Sequence, residues 1–274
     1  MITKIEFAKI YNEVDNAIED ALNALFAFNQ NSYALFLADG EYTKTVSGYS
    51  PFSIDYRVDG YLDETRLRFL SQFLNEHYSF APPLTQTVDD EYRIQIELMI
   101  YTHIWEALPF IKKLYRLAQL LDGKNYKWCA QVPLMGKHNF IRLKIRDVFK
   151  RNGHTISEIM SKGFHSSLRN SFAHSQYAIN SPFPANKIVL FNGSGLKKNK
   201  LLPEISFDDW SKRFAYSFLL SYLFVKKADE HRRNLITKTG TDIFQIKIPH
   251  KTKTYVMDWI KYEPVHNNFS YLIN

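Results

Sequence analysis

The sequence predicts a mainly α-helical fold with two small strand pairs attached. Two observations carry this: apolar residues recur at helical spacing through most of the chain, and alternating apolar runs are confined to two short stretches beyond residue 180. The first predicted helix runs from about Ile5 to Phe28, with Ile5, Ala8, Ala17, Ala21, Leu22 and Leu25 on one face. Ser32 to Ser53 mixes Tyr, Thr, Gly and Ser around Pro51 and reads as a strand-and-loop insert. A helix follows from Leu62 to about His77 and is stopped by Ala81-Pro82-Pro83.

The longest periodic run is Asp90 to Leu121, where Ile94, Leu98, Tyr101, Trp105, Leu108 and Tyr115 repeat at helical intervals. Asp89-Asp90-Glu91 reads as its N-terminus, and Pro109 inside it predicts a kink or a break. Gly123 ends the run, a basic amphipathic stretch follows from His138 to Arg151, and Gly153 closes that in turn. Thr155 and Glu158 fit a capping box opening a helix predicted to reach Tyr177. Ser181-Pro182-Phe183-Pro184 breaks the pattern, Lys187 to Phe191 (KIVLF) is a short strand, GSGLKKNK is a turn, and a return strand ends at Ile205. Ser206 with Asp209 forms a second capping box, opening a helix of about thirty residues whose end, His231-Arg232-Arg233, suits the negative end of the helix dipole. The tail from Ile243 to Ile260 alternates as a terminal hairpin. The expected organisation is therefore an N-terminal helical region with its insert over 1–89, a helical domain over 90–237, and a C-terminal hairpin extension over 238–274.

Composition narrows the function classes. Hydrophobic residues at 45% and charged residues at 23% match a soluble globular chain, and 10 Gly with 10 Pro exclude collagen-like or low-complexity classes. The longest nearly apolar stretch, Phe214 to Val225, is shorter than the about 20 residues a bilayer requires. The N-terminus carries acidic residues at helical spacing instead of an apolar signal core, so a soluble, cytoplasmic chain without membrane contact is expected. Cys129 is the single cysteine, which rules out an intramolecular disulfide and a thiolate metal cluster. A net charge of +7 favours a polyanionic partner such as RNA. No zinc spacing, HExxH, nucleophile elbow or dinucleotide fingerprint is present, so neither a metal nor a cofactor is expected.

One segment carries chemistry: Leu168 to Tyr177, LRNSFAHSQY. It places Arg169, Asn170 and His174 in an R-N-x3-H spacing on a predicted helix, and no other of the nine histidines follows an arginine at this spacing. Asn170 and His174 lie one turn apart on one face. Arg169 sits about 140° round from His174 at about 100° per residue. Its side chain must curl back, the helix must distort, or a second copy of the chain must complete the group. Imidazole and guanidinium together suit phosphodiester cleavage without metal: the first moves protons near neutral pH, and the second stabilises charge on phosphoryl oxygens.

LRNSFAHSQY resembles the signature of the HEPN superfamily (higher eukaryote and prokaryote nucleotide-binding domains), whose ribonuclease members carry R-[N/D/H]-x3-H near the end of a helix. The order that follows, KIVLF, GSGLKKNK and Glu204-Ile205-Ser206-Phe207-Asp208-Asp209-Trp210, is similar to the hairpin and "IS-x-D/E" turn of many bacterial members, and the resemblance covers about Asp90 to Thr237. It implies a HEPN-like helical bundle and a homodimer whose two motif helices face each other in one composite cleft. The implied reaction is metal-independent RNA cleavage, in which the 2′-hydroxyl attacks the adjacent phosphate and leaves a 2′,3′-cyclic phosphate and a 5′-hydroxyl. His174 would be the acid/base, Arg169 the charge stabiliser, and Asn170 the residue that orients the histidine or the phosphate. The resemblance also implies a toxin or abortive-infection role, with an antitoxin or other regulatory partner. In a toxin subset the motif continues as H-x-Y, whereas this chain reads His174-Ser175-Gln176-Tyr177, so control through tyrosine modification is not carried over.

Lys197, Lys198 and Lys200 in the turn, with Arg142 and Arg146 in the basic stretch, are the candidate contacts to an RNA backbone. Two other classes compete with the enzyme: a catalytically inactive HEPN-like module that binds RNA or a nucleotide, and a helical partner within a regulated complex.

Overall fold

A computed structural model of the chain describes residues 1–44, 50–87, 90–180, 186–192 and 202–272. The fold is mainly helical, with small antiparallel sheets. The helices are α1 Lys4–Phe28, α2 Gln30–Leu37, α3 Arg57–His77, α4 Glu91–Glu106, α5 Leu108–Leu121, α6 Lys137–Phe140, α7 Asp147–Arg151, α8 Ile156–Gly163, α9 Ser166–Ala173, α10 Phe207–Arg233 and α11 Leu235–Thr239. A π-helical stretch, Ile141–Arg146, joins α6 to α7. The strands are β1 Glu41–Tyr42, β2 Phe52–Ser53, β3 Tyr177–Asn180, β4 Lys187–Leu190, β5 Glu204–Ser206, β6 Ile243–Ile248, β7 Val256–Glu263 and β8 Asn268–Tyr271. They pair as β1-β2, β3-β4-β5 and β6-β7-β8, antiparallel throughout.

Local chemistry explains the boundaries. The Asp90 carboxylate accepts the Tyr92 N–H at 3.0 Å and caps α4, and the periodic run divides at Ala107, which is extended (φ −64°, ψ 106°). Pro109 then falls in the first turn of α5, where a missing N–H costs nothing. Ser206 and Asp209 form the expected cap of α10: the Ser206 hydroxyl accepts the Asp209 N–H at 3.1 Å and donates to its carboxylate at 2.8 Å.

Four expectations require correction. Residues 30–37 are helical instead of strand and loop, because Asn29 accepts the Ser32 N–H at 2.7 Å as an N-cap. After an exposed first turn, Tyr33, Ala34, Leu35, Phe36 and Leu37 are all buried in succession, so no helical period marks this stretch. The helix expected from Thr155 to Tyr177 is two, α8 and α9, and Tyr177 begins a strand. Each predicted strand pair is a three-stranded sheet, gaining β3 after the motif and β8 at the C-terminus. His231 and Arg232 do more than complement a dipole. His231 is buried, with Nδ1 2.8 Å from the Tyr33 hydroxyl and Nε2 2.9 Å from Glu19, and Arg232 is paired with Asp55.

The chain forms two compact units, each drawn from three separated stretches. Unit 1 comprises Met1–Asn16, Arg68–Ala107 and Ser157–Tyr222; unit 2 comprises Ala17–Leu67, Leu108–Ile156 and Leu223–Asn274. Unit 1 is held by aromatic packing. Phe7 stacks on Tyr78 at 4.9 Å between centroids, Tyr78 lies 6.2 Å from Phe214, and Phe73 bridges to Phe214 and Phe218. Trp210, buried in the same unit, donates its Nε1–H to Glu97 at 2.8 Å, and Arg93 pairs with that carboxylate. Unit 2 packs α2 against β6 and buries Phe36, Phe110, Phe149, Phe224 and Phe244 together with a network of charged groups around Arg116.

No helix among the described residues is long and apolar enough to cross a membrane.

Candidate functional site

The break that separates α8 from α9 sets the position of the motif. Gly163 ends α8 against α10, where a Cβ would stand 2.9 Å from the Ser217 hydroxyl and 3.1 Å from the Ser217 nitrogen, so no larger residue fits without displacement. Ser217 in turn accepts the Trp105 Nε1–H at 3.1 Å. A helix end leaves carbonyls unpaired, and here tertiary groups take them up. The Tyr101 hydroxyl accepts the His165 N–H at 2.7 Å and reaches the Gly163 and His165 carbonyls at 3.2 and 3.3 Å. Arg213 donates to the Gly163 and Phe164 carbonyls, both at 3.4 Å.

His165 is extended (φ −141°, ψ 122°) and caps α9, its Nδ1 accepting the Ser167 N–H at 3.3 Å. Burial, reinforced by the neighbouring Arg213 charge, pushes this imidazole down to about 4. It is therefore neutral at physiological pH, as an accepting cap must be.

On α9, Leu168 and Ser171 face inward, and the Ser167 carbonyl accepts an Asn192 side-chain N–H at 2.8 Å, tying the residue after β4 to the motif helix. Arg169 and Asn170 are partly buried, while His174 is exposed. The helix then closes by a Schellman arrangement: the Gln176 N–H reaches the Ser171 carbonyl at 2.7 Å, and the Ser175 N–H reaches Phe172 at 3.1 Å. Ser175 takes the left-handed conformation this requires (φ 54°). His174 is consequently the C-cap residue, and its N–H still bonds the Asn170 carbonyl at 3.1 Å. Tyr177 packs at 5.1 Å on the Phe172 ring and donates to Gln95 at 2.6 Å, which gives it a structural role.

The Arg169 Nε stands 3.0 Å from Glu106 at the end of α4, an ion pair without the alignment of a good hydrogen bond. Arg169 thus turns toward α4, and Asn170 and His174 share the exposed side of the last turn. The structure joins Asn170 to His174 through the backbone and joins Arg169 to Glu106. Among the described residues no hydrogen bond or ion pair links Arg169 to His174. Glu106 escapes a reading by motif because it sits at the end of an otherwise apolar run, and His165 escapes because nothing in its sequence neighbourhood marks a cap.

Of the expected backbone contacts, Arg142 and Arg146 belong to unit 2, while the motif belongs to unit 1. Arg142 is exposed and reaches Asn139 at 3.3 Å; Arg146 pairs with Asp147 at 2.7 Å. Lys197, Lys198 and Lys200, with the turn that carries them, lie outside the described residues, as do Asp89 and Ser181 to Pro184. Cys129 is free and exposed. Among the described residues no group of three or more His, Cys, Asp and Glu side chains is arranged to hold a metal ion.

Chemically, the site offers an imidazole open to solvent, an amide one turn away, and a guanidinium engaged at its Nε edge. The two Nη groups form the edge by which arginine takes phosphate oxygens in pairs. Comparison of the chain with family models, with curated proteins and with solved structures finds no match.

Proposed function

We propose that the chain is a metal-independent endoribonuclease of HEPN type, acting as a toxin or abortive-infection effector. The reading is carried by one observation: the R-N-x3-H spacing ends a helix whose C-cap residue is an exposed histidine. In this scheme His174 takes the proton of the attacking 2′-hydroxyl or returns one to the leaving 5′-oxygen, Arg169 stabilises the charge on the phosphoryl oxygens, and Asn170 orients the histidine or the phosphate. Products carry 2′,3′-cyclic phosphate and 5′-hydroxyl ends. The proposed active form is a homodimer, in which a second motif helix supplies the other imidazole and guanidinium, and a regulatory partner holds the activity in check.

The test is incubation of wild type and His174→Ala with mixed RNA in EDTA, followed by end-group analysis. Cleavage by wild type alone with cyclic phosphate ends supports the proposal. Equal cleavage by both proteins removes it. A second reading, an RNA-binding module without turnover, draws on the engagement of Arg169 by Glu106. It predicts salt-sensitive binding by both proteins and cleavage by neither.

A further inference from the structure

The C-terminal sheet has two unlike faces. Its inner face is apolar: Phe244, Ile246, Ile248, Ile260, Tyr262 and Phe269 are buried at alternate positions. Its outer side carries Tyr255, Met257 and Trp259 at successive alternate positions, 41%, 43% and 42% exposed. Alternate side chains on a strand stand about 6.6–6.8 Å apart. These three therefore form a ledge of two aromatic rings and a thioether in solvent, where an ordinary sheet would present polar groups.

Lysines surround the ledge. Lys247 pairs in register with Met257 and sets its ammonium 4.9 Å from the centre of the Tyr255 ring. Lys251 and Lys253 lie exposed in the loop between β6 and β7. Lys261 continues the row and is offset by Glu263 at 2.9 Å and Asp242 at 3.9 Å. The remaining carboxylate of the strand, Asp258, accepts the Trp259 N–H at 2.8 Å. Rings that stack on any base, set among cations that follow a phosphate backbone, are the chemistry by which proteins hold single strands without reading sequence. Lys247, Lys251 and Lys253 give the rim one sign of charge, which complements a polyanion.

We infer that the outer face of the β6-β7-β8 sheet is a binding surface for single-stranded RNA, with bases stacking on Trp259 and Tyr255 and phosphates meeting Lys247, Lys251 and Lys253. The choice of RNA over other single strands rests on the ribonuclease reading above; the stacking surface does not.

The chain supplies its own probe. Trp105, Trp128 and Trp210 are buried at 0%, 3% and 0% exposure, so Trp259 is the one tryptophan a base can stack on. The experiment titrates the full chain with a uridine 12-mer methylated at every 2′-oxygen, which removes the attacking hydroxyl and separates binding from cleavage. The expected results are quenching of the solvent-exposed tryptophan emission and an affinity that falls with salt. By anisotropy of a labelled oligomer, Trp259→Ala weakens binding at least about fivefold, as loss of one stacked base does, while Trp259→Phe holds it within about twofold. Lys251→Ala with Lys253→Ala lowers the slope of log affinity against log salt by about 1.4, at about 0.7 per phosphate contact. Binding without quenching, wild-type affinity in Trp259→Ala, or equal affinity for a duplex of the same length overturns the inference. Loss of 12-mer binding in Trp259→Phe as well overturns stacking as its cause. Failure of cleavage with the stacking signature intact counts against the catalytic reading alone.

Discussion

Two arginines, one in each unit, show how the same chemistry serves different ends. Arg116 in unit 2 is 1% exposed and each of its three guanidinium nitrogens has a partner: Asp39 at 3.2 Å, Glu41 at 2.6 Å, and the Lys127 and Trp128 carbonyls at 3.1 and 3.3 Å. Lys112 joins the same network through Glu41 at 3.0 Å and Asp59 at 3.4 Å, and Lys113 lies between Asp39 and Asp63. Arg169 in unit 1 is 15% exposed, and among the described residues its one carboxylate is Glu106, 39% exposed. A closed network has nothing left to offer a ligand. An arginine held at one edge has.

The sharpest way to break this contrast is to remove each arginine. Arg116→Ala takes a buried guanidinium from Asp39 and Glu41, which keep only Lys113 and Lys112, and from the Lys127 and Trp128 carbonyls, and is expected to cost about 3 kcal/mol. Arg169→Ala removes a single ion pair whose carboxylate is partly open to solvent, and is expected to cost less, about 1–2 kcal/mol, while abolishing the proposed RNA cleavage. Urea unfolding of both variants measures the difference; equal losses would mean that Arg169 is as structural as Arg116.

A smaller effect sharpens the account of the motif helix. The imidazole of His165 is held near 4, against about 6.5 in an unfolded chain. Because the unfolded state binds the proton more tightly, the stability His165 contributes is complete above pH about 6.5 and is lost as pH falls toward 4. Asparagine at this position keeps a capping acceptor that does not titrate. His165→Asn should therefore flatten the fall in urea midpoint between pH 7 and 4.5, leaving the slope owed to the other shifted groups, among them His154 and His231, which burial also depresses, and the buried carboxyls of Asp55, Asp59 and Glu97, which burial raises. An unchanged slope would show that the cap is not what acid breaks.

The smallest effect is a gain. Ser175 holds a left-handed conformation at the Schellman turn, and Ser175→Gly should stabilise the chain by up to about 1 kcal/mol. Calorimetry checks it, with the proposed cleavage retained because the turn beside His174 is preserved.

Much of this architecture is legible in the sequence. Asp90, Pro109, Ser206 and Asp209 mark helix ends by chemistry that acts within a few residues, and the ends fall there. The failures share a cause. Helix α2 is buried at five consecutive positions from Tyr33 to Leu37 and has no period to display there, and the break at Phe164-His165 is closed by Tyr101 and Arg213, about fifty or more residues away in sequence. Strands β3 and β8 are short and earn their place from neighbours already paired. At the site, the spacing of Arg169, Asn170 and His174 could be read directly; the partner Glu106 depends on how α4 meets α9 and could not.

The interleaving of the two units has a consequence for the order in which they come into being. Synthesis runs from the N-terminus, so the last stretch of unit 1 is already made at Tyr222, while unit 2 still waits for Leu223 onward and its sheet β6-β7-β8. Asp55 meets Arg232, and Trp128 meets the Lys247 carbonyl, only after that last stretch emerges. The unit bearing the histidine motif is thus the elder of the two on the ribosome. A chain cut after residue 222 would hold every residue of the unit that bears the motif and lack the last stretch of its companion.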